Sequence, residues 1–317
     1  MFTDKFKDTV FIDIKGLTHF FENLKEFEFE KLLLKDNVDF ATNDDILSIF
    51  NKNNEEPEIP EEPEIPEEQI NLDFYFIANK PSTISFSNEL EYSLDNGNTW
   101  NTYSANTLLN LNTNYLIGFR GELSPNKEEG IGTFSIEGDV SVYGNPETLL
   151  VNNQLADYAF SNLFNSCIGL TDASGLEFNY NIDHYCYKYM FAGCTSLTKV
   201  ADLPATTPLP ECYAYMFENC KSLIKAPEIF LNNINASNSG IPNSTNCMGG
   251  MFKNCTSLNY IKCHMPTLTA KVSIISLALA SNWVSGVSST GTYYKPVGAS
   301  IETGESGIPK GWNVIEF

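Results

Sequence analysis

The sequence has few residues suited to proton transfer and lacks the common catalytic motifs. Its 317 residues include three histidines, His19, His184 and His264. No Walker loop, Gly-x-Ser-x-Gly, His-Glu-x-x-His or Cys-x-x-Cys motif occurs. The 40 acidic residues leave a glycosidase pair of carboxylates open by composition, but no motif locates such a pair. We therefore predict that the protein is not an enzyme, has no catalytic residues and uses no cofactor or metal ion.

Basic residues are also scarce. The chain has 19 lysines and arginines against 40 acidic residues, which gives a formal net charge of -21. A surface of this charge repels nucleic acids and anionic membranes. We therefore expect no nucleic-acid partner.

Long apolar runs and an export signal are absent as well. No run approaches the roughly 18 apolar residues of a membrane-spanning helix, which predicts no membrane insertion. Residues 1–8 have no basic stretch followed by an apolar core, and the first of the eight cysteines is Cys167. We expect neither a secretory signal nor a lipid anchor. The chain would then stay in the cell that makes it or leave by lysis.

Residues 53–69 predict a stiff spacer. The unit Glu-Glu-Pro-Glu-Ile-Pro occurs twice, at 55–60 and 61–66. Proline at every third position favours polyproline II, and the neighbouring glutamates repel one another. Twelve residues at about 3.1 Å each span about 37 Å. A structural spacer is the favoured interpretation, and a recognition peptide for a partner is the alternative.

Residues 1–52 predict a small α/β unit. Thr9–Ile14 is typical of a strand, and a helix is predicted from Thr18, with a second, shorter helix over 44–50. The apolar positions at helical spacing are Leu17, Phe20, Phe21, Leu24, Phe27 and Leu32.

Such a short segment buries little surface by itself. One interpretation is a marginal mini-domain. The preferred one is an anchor or oligomerisation unit that uses Phe20, Phe21, Leu24 and Phe27. An interfacial membrane helix fits less well, because its polar face would be acidic.

Residues 70–145 predict a β-sandwich of short strands. Five segments alternate apolar and polar residues: Leu72–Ile77, Ser82–Phe86, Leu90–Leu94, Tyr115–Arg120 and Gly132–Ile136. A hairpin turn is predicted at 95–98, since Asn-Gly tolerates positive φ at both central residues. Trp100, Tyr103 and Tyr115 are assigned to packing, with a ligand site as the alternative.

Four similar segments repeat in the second half of the chain. They read LFNSCIGL at 163–170, MFAGCTSL at 190–197, MFENCKSL at 216–223 and MFKNCTSL at 251–258. Their cysteines are 27, 26 and 35 residues apart, so the last interval carries an insertion, placed at 232–240. A fixed period of this length predicts a solenoid, whose units stack to bury their apolar faces.

Each position of the repeat suggests a structural role. The Met-Phe pair, with a small residue four positions earlier, predicts one apolar side of a short helix. Gly193, Asn219 and Asn254 are placed to end those helices in the left-handed conformation. The phenylalanines and cysteines should stack as ladders in the interior.

The cysteines are predicted to be buried free thiols. Pairs such as Cys186 and Cys194 are eight residues apart, which spans about 12 Å on a helix and exceeds the roughly 7 Å limit for a disulfide. Metal sites usually pair cysteines two to four residues apart. Identical thiols in successive coils explain the spacing better.

The repeats resemble the BspA-type leucine-rich repeats of gut Bacteroidales surface proteins and of their crAss-like phages. The likeness extends to 90–100 and 118–145, which look like the β-module that often precedes such repeats. It also extends to 283–287, 292–295 and 307–314, which look like the closing segment that often follows them. It covers about 70–317 and carries no information on 1–52.

Together with the resemblance, the sequence patterns predict a multi-domain α+β protein. The expected order is an α/β anchor at 1–52, a Glu/Pro linker at 53–69 and a β-sandwich at 70–145. A leucine-rich-repeat-like solenoid at 146–282 and a β cap at 283–317 would follow.

This order suggests a phage virion structural protein, a head fibre or a tail fibre, located in the virion. The N-terminal unit would bind capsid or tail proteins. The distal modules would bind a host surface protein or glycan, in a homodimer or homotrimer. The alternative is a bacterial cell-surface adhesin or glycan-binding protein. Candidate binding residues are Tyr213, Tyr215 and Tyr260.

Overall fold

A computed structural model of the chain describes residues 9–12, 31–34, 70–127, 129–232, 246–266, 269–272 and 275–317. At 9–12, 31–34, 269–272 and 275–278 it describes the backbone alone. The chain divides into two compact units, Met1–Gln69 and Ile70–Phe317. Within the described residues the protein is mostly β-sheet, and its only helices are 3-10 turns at Pro146–Leu149 and Val151–Asn153. No described helix has the length and apolarity needed to span a bilayer.

The described part of the first unit is a two-stranded parallel sheet. Strand β1 (Thr9–Ile12) pairs with β2 (Lys31–Leu34), which confirms the strand predicted from Thr9. Leu32 was predicted to lie on a helix, and that prediction is wrong, because its backbone is paired with Val10. The predicted anchor positions Phe20, Phe21, Leu24 and Phe27, the helix over 44–50 and the spacer lie outside the described residues.

The second unit contains fifteen described strands. They are β3 Phe74–Ala78, β4 Ser82–Phe86, β5 Leu90–Ser93, β6 Asn101–Tyr103, β7 Leu109–Leu111, β8 Leu116–Arg120, β9 Phe134–Glu137, β10 Val140–Gly144, β11 Leu170–Leu176, β12 Lys199–Val200, β13 Tyr260–Lys262, β14 Thr269–Val272, β15 Ile275–Ala278, β16 Thr292–Lys295 and β17 Asn313–Glu316. All five strands predicted from alternation are present, with ends shifted by at most two residues.

Two sheets share one aromatic core. A seven-stranded sheet has the order β12-β11-β10-β3-β8-β5-β6, and a three-stranded sheet has the order β7-β4-β9. Phe76 of the larger sheet lies 5.0 Å from Phe134 of the smaller one, between ring centroids, and Phe86 lies 4.4 Å from Phe134. Alternate residues of both sheets are buried, so their facing surfaces exclude water together.

The predicted hairpin turn is confirmed. Asn96 and Gly97 both have positive φ, 56° and 82°. The Asp95 carboxylate accepts hydrogen bonds from the Thr99 hydroxyl, the Thr99 amide and the Ser93 hydroxyl. The bonds from Thr99 contribute most to holding the pKa of Asp95 below its usual value. The carboxylate therefore fixes the loop in its charged form.

The prediction of short helices in the repeats is wrong. The corresponding residues form five segments of consecutive turns, here called turn segments, at 156–167, 183–194, 209–220, 246–255 and 279–287. Every fourth residue has positive φ, as at Asn246, Gly250 and Asn254, and an α-helix does not accommodate such residues. The fifth turn segment spans the predicted boundary between the solenoid at 146–282 and the cap at 283–317.

Backbone hydrogen bonds explain why turns replace helices. In each of the first four turn segments, one amide donates within the segment and the next donates to the following segment. The Phe164 amide, for example, donates to the Met190 carbonyl, whereas the Cys167 amide donates to the Phe164 carbonyl. The same alternation recurs from Tyr158 to Asn254. Neighbouring segments thus satisfy each other's polar groups, which a helix would satisfy internally.

One column of aromatic rings, here called the phenylalanine column, runs through the unit. It starts at Phe134 of β9 and continues through Phe164, Phe191, Phe217 and Phe252 to Trp283. Successive centroids are 5.6, 5.3, 5.4, 5.4 and 5.8 Å apart. The predicted phenylalanine ladder is confirmed, and it extends beyond the four repeats at both ends.

Backbone pairing also joins the β-sheets to the repeats. Strand β10 pairs with β11 in parallel, and β11 pairs with β12. Asp139, just before β10, accepts hydrogen bonds from Asn79 and from Thr171 of β11. Hydrogen bonds from Asn79 and then Thr171 lower the pKa of Asp139. Further along, β13, β16 and β17 form another parallel sheet.

The prediction of buried free thiols is confirmed, since all eight cysteines are free and buried. The Sγ atoms of Cys194, Cys220 and Cys255 each donate to the carbonyl of a phenylalanine in the preceding turn segment, at 3.0, 3.1 and 2.9 Å. Burial raises the pKa of Cys255 to about 12 and that of Cys263 to about 11. The thiolate, which is the reactive form, is therefore strongly disfavoured.

We expect none of the eight thiols to react with Ellman's reagent in the native protein at mildly alkaline pH. All eight should react once the chain is unfolded in guanidinium chloride, because both burial and the raised pKa are then lost. Absorbance of the released thionitrobenzoate measures both results. A thiol that reacts in the native state as fast as free cysteine would contradict the buried columns.

Candidate functional site

The predicted binding residues do not form one site. Tyr213 is fully buried in the core, so its assignment to a binding surface is wrong. Tyr215 is partly exposed and stacks on Tyr189 with centroids 4.9 Å apart. Tyr260 of β13 packs against Tyr294 of β16, on a different part of the surface. The phenylalanines and Leu24 predicted for the anchor lie outside the described residues.

Tyr215 belongs to a surface of stacked tyrosines. Tyr158 lies on Tyr185 with centroids 4.4 Å apart and planes 2° apart, as Tyr215 lies on Tyr189. The Lys188 ammonium lies 5.5 Å from the Tyr185 centroid and 2.7 Å from the Glu211 carboxylate. Rings and charges here are already paired with one another. The surface is therefore rigid, and it leaves few groups free for a ligand.

Asp157, Asp183 and His184 form an exposed polar cluster. The His184 Nδ1 atom is 3.0 Å from an Asp157 oxygen and 3.1 Å from an Asp183 oxygen. The three side chains are arranged as metal ligands could be, but they also satisfy one another as an ordinary surface ion pair. We assign no metal site to them.

A cleft on the outer face of the larger sheet has a different character. It is defined by Asp73, Tyr75, Tyr143, Asn153, Gly175 and Glu177, has a volume of about 530 Å3, and is here called the tyrosine cleft. Strands β3, β10 and β11, which are adjacent in the sheet, supply its floor. It therefore lies where β10 of the β-sheets pairs with β11 of the repeats.

Register places the two tyrosines side by side. Tyr75 of β3 is the direct partner of Tyr143 of β10, and their centroids are 5.2 Å apart with planes 11° apart. Tyr143 is opposite Gly175 of β11. A Cβ atom at Gly175 would lie 2.1 Å from Cδ1 of Tyr143, so glycine is required for the ring to lie there. Burial and the neighbouring Tyr143 and Glu177 raise the pKa of Tyr75.

The polar groups of the tyrosine cleft are free to bind. Within the described part of the chain, the carboxylates of Asp73 and Glu177 and the amide of Asn153 form no hydrogen bond or ion pair. All three residues are exposed. The cleft thus combines two partly buried rings with unpaired acceptors and donors.

A second cleft adjoins the first and shares Asp73, Thr148 and Asn153 with it. Its lining adds Glu89, Glu91, Glu122 and Arg120. The Arg120 Nε atom donates to the Glu91 carboxylate at 2.7 Å, and its guanidinium lies 4.2 Å from the Trp100 ring centroid. The combined groove is therefore acidic, and Arg120, the one cation among the described residues that line it, is already paired.

Sequence reasoning missed the tyrosine cleft. The alternation in β3 does place Tyr75 outward, because Phe74 and Phe76 are buried. A glycine inside β11 is a further signal of close approach. Neither signal identifies Tyr143 as the partner, since strand register across distant segments is not readable from the sequence.

Comparison of the chain with protein-family models, with curated proteins and with solved structures gives no match.

Proposed function

We propose that residues 70–145 form a β-sandwich, that 146–282 form a short leucine-rich-repeat-like solenoid, and that 283–317 close its end. The shared aromatic core between two sheets supports the first part. The repeated hydrogen-bond alternation of the turn segments supports the second. Trp283, at the end of the phenylalanine column, supports the third.

On this architecture the protein acts as a phage virion structural protein, a head fibre or a tail fibre. Residues 1–52 attach it to capsid or tail proteins, 53–69 hold the head away from the particle, and 70–317 bind a host surface protein or glycan. Dimeric or trimeric copies on one particle would multiply a weak single-site affinity.

The observation that carries this proposal is the continuity of the described head. The phenylalanine column and the parallel strands run from β9 and β10 into the repeats without interruption. A stiff body loses little conformational freedom when its surface docks, so its binding energy is retained. The absence of recognisable catalytic motifs agrees with a binding role. A bacterial surface adhesin of the BspA-like type remains the second candidate, because the same head would serve it equally well.

Deletion of residues 1–52 from the gene in the producing phage tests the attachment. We expect particles that assemble but carry no head, as seen by electron microscopy and by mass spectrometry of purified virions. A matched deletion of the spacer repeat 55–60 should leave particles decorated, because the anchor is intact.

Particles that stay decorated without 1–52 would refute the assigned anchor. If the protein is missing from wild-type virions and is found instead in the bacterial envelope, the protein is a bacterial adhesin and the fibre proposal is refuted.

A further inference from the structure

We propose that the tyrosine cleft binds a neutral oligosaccharide. This proposal rests on the proposed function only in that a binding head needs a ligand site, and the site itself is argued from the geometry of the cleft.

The tyrosine pair provides the apolar part of the site. A sugar ring has apolar C–H faces and a rim of hydroxyl groups, so it matches a surface that is apolar in one part and polar in another. Tyr75 and Tyr143 stack on each other on the outer sheet face and remain partly exposed. Tyrosine offers a large, rigid ring with a polar hydroxyl, and its contacts cost little side-chain entropy.

The free polar groups match sugar hydroxyls. A carboxylate accepts hydrogen bonds at two oxygens, and a carboxamide both donates and accepts. Asp73 and Glu177 flank the rings and are unpaired among the described residues, and Asn153 adds an unpaired amide. Hydrogen bonds to ionised acceptors are shorter and stronger than neutral ones. The volume of about 530 Å3 is in the range of small-molecule sites, roughly 300–1,000 Å3.

Charge selects among sugars. Asp73 and Glu177 line the tyrosine cleft, and Glu89, Glu91 and Glu122 line the adjoining one. Arg120 is paired with Glu91, so among the described residues neither lining offers a free cation to balance an anionic ligand. Carboxylated, sulfated or phosphorylated sugars would be repelled by this field, and neutral sugars would not.

The site is held in its binding geometry before a ligand arrives. Tyr143 is fixed over Gly175, and both tyrosines are on paired strands. The turn that follows β10 is also fixed, because the Asn145 side chain accepts a hydrogen bond from the Glu147 amide at 2.9 Å. A rigid site needs little ordering on binding, which favours affinity.

The test is isothermal titration of the full chain with two sets of hexasaccharides. The neutral set is cellohexaose, xylohexaose, mannohexaose and laminarihexaose, and the anionic probe is hexagalacturonate. We expect at least one neutral member to bind and hexagalacturonate to bind at least about tenfold more weakly. The near-isosteric variants Asp73→Asn and Glu177→Gln should each raise the Kd by about tenfold, and Tyr143→Ala by more.

The matched control is Tyr180→Ala, which removes a tyrosine that is 75% exposed and outside the cleft lining. It should leave the Kd unchanged. Thermal melts of every variant establish that the head is folded, and the two isosteric variants keep the test valid if Tyr143→Ala unfolds.

Failure of all neutral probes to bind would overturn the proposal, as would tighter binding of hexagalacturonate or an unchanged Kd in folded Asp73→Asn and Glu177→Gln. These results are separate from those of the particle test. Bare virions with no sugar binding would refute the site alone, and sugar binding by a protein absent from virions would refute the fibre alone.

Discussion

Replacing Phe217 with alanine should lower the free energy of unfolding of the Ile70–Phe317 unit by about 3–5 kcal/mol. Phe217 is fully buried in the middle of the phenylalanine column, with Phe191 and Phe252 each 5.4 Å away between centroids. The mutation removes the ring and leaves a cavity between the two neighbouring rings. These rings cannot close the gap, because the Phe191 amide donates to the Met216 carbonyl and the Phe217 amide to the Met251 carbonyl, which fixes the spacing of the turn segments. A loss of this size is a large fraction of a typical stability of 5–15 kcal/mol.

Guanidinium denaturation followed by both circular dichroism and tryptophan fluorescence measures the effect. Trp283 ends the column and Trp100 is on the β-sheet part, so fluorescence reports on both regions. Phe217→Leu should cost clearly less, since leucine fills more of the cavity. The exposed control Tyr180→Ala should change stability by less than about 0.5 kcal/mol. A loss below about 1 kcal/mol in Phe217→Ala would mean that the column is not tightly packed.

The interior of the repeats was readable from the sequence because identical residues recur at a fixed period. Phe191, Phe217 and Phe252 align without gaps inside their segments, and equal positions in successive units must be neighbours. Five strands of the β-sheets, β3, β4, β5, β8 and β9, were readable because alternation of apolar and polar residues over four to six positions is typical of a strand. These patterns depend on local spacing alone.

The turn segments were misread because their period is close to that of a helix. A spacing of four residues, as between Cys212 and Met216, fits 3.6 residues per turn over so short a stretch. The signal against a helix was the series Asn246, Gly250 and Asn254, three residues that readily adopt positive φ. Other units have tyrosine at the equivalent positions, and a tyrosine in the sequence does not suggest positive φ. Tyr185, Tyr189 and Tyr215 nevertheless have positive φ.

The fifth turn segment and the tyrosine cleft were missed because they depend on contacts between dissimilar residues. Trp283 replaces phenylalanine at the end of the column, and its segment has no cysteine. Tyr75 and Tyr143 meet through strand register, and Gly175 meets them only through the pairing of β10 and β11. Tertiary pairing of this kind leaves no periodic trace in the chain.

Removing one full period, residues 191–216, should give a shorter protein that still folds. The deletion joins Met190 to Phe217, so that Phe217 takes the place of Phe191 against Phe164. The first part of the second turn segment is thereby fused to the end of the third, and each amide that has lost its acceptor faces the equivalent carbonyl of the next turn segment. A solenoid of nearest-neighbour units tolerates such a loss at a moderate cost in stability. Circular dichroism, size-exclusion chromatography and a cooperative denaturation curve with a lower m value measure the outcome.

Folding of a deletion variant should depend on the length of the deleted segment and not on its position in the repeats. Deleting 204–229 joins Leu203 to Phe230 and also removes one period, since Leu203 and Ile229 are bridged partners in adjacent units. That variant should fold as well. Deleting 191–203 removes half a period and joins Met190 to Pro204. The second turn segment then lacks its phenylalanine ring, and amides of the neighbouring segment no longer face aligned carbonyls. We expect that chain to aggregate or to lack a cooperative transition. If the half-period deletion folds as well as the full-period ones, the units do not stack by equivalence and the proposed solenoid is incorrect.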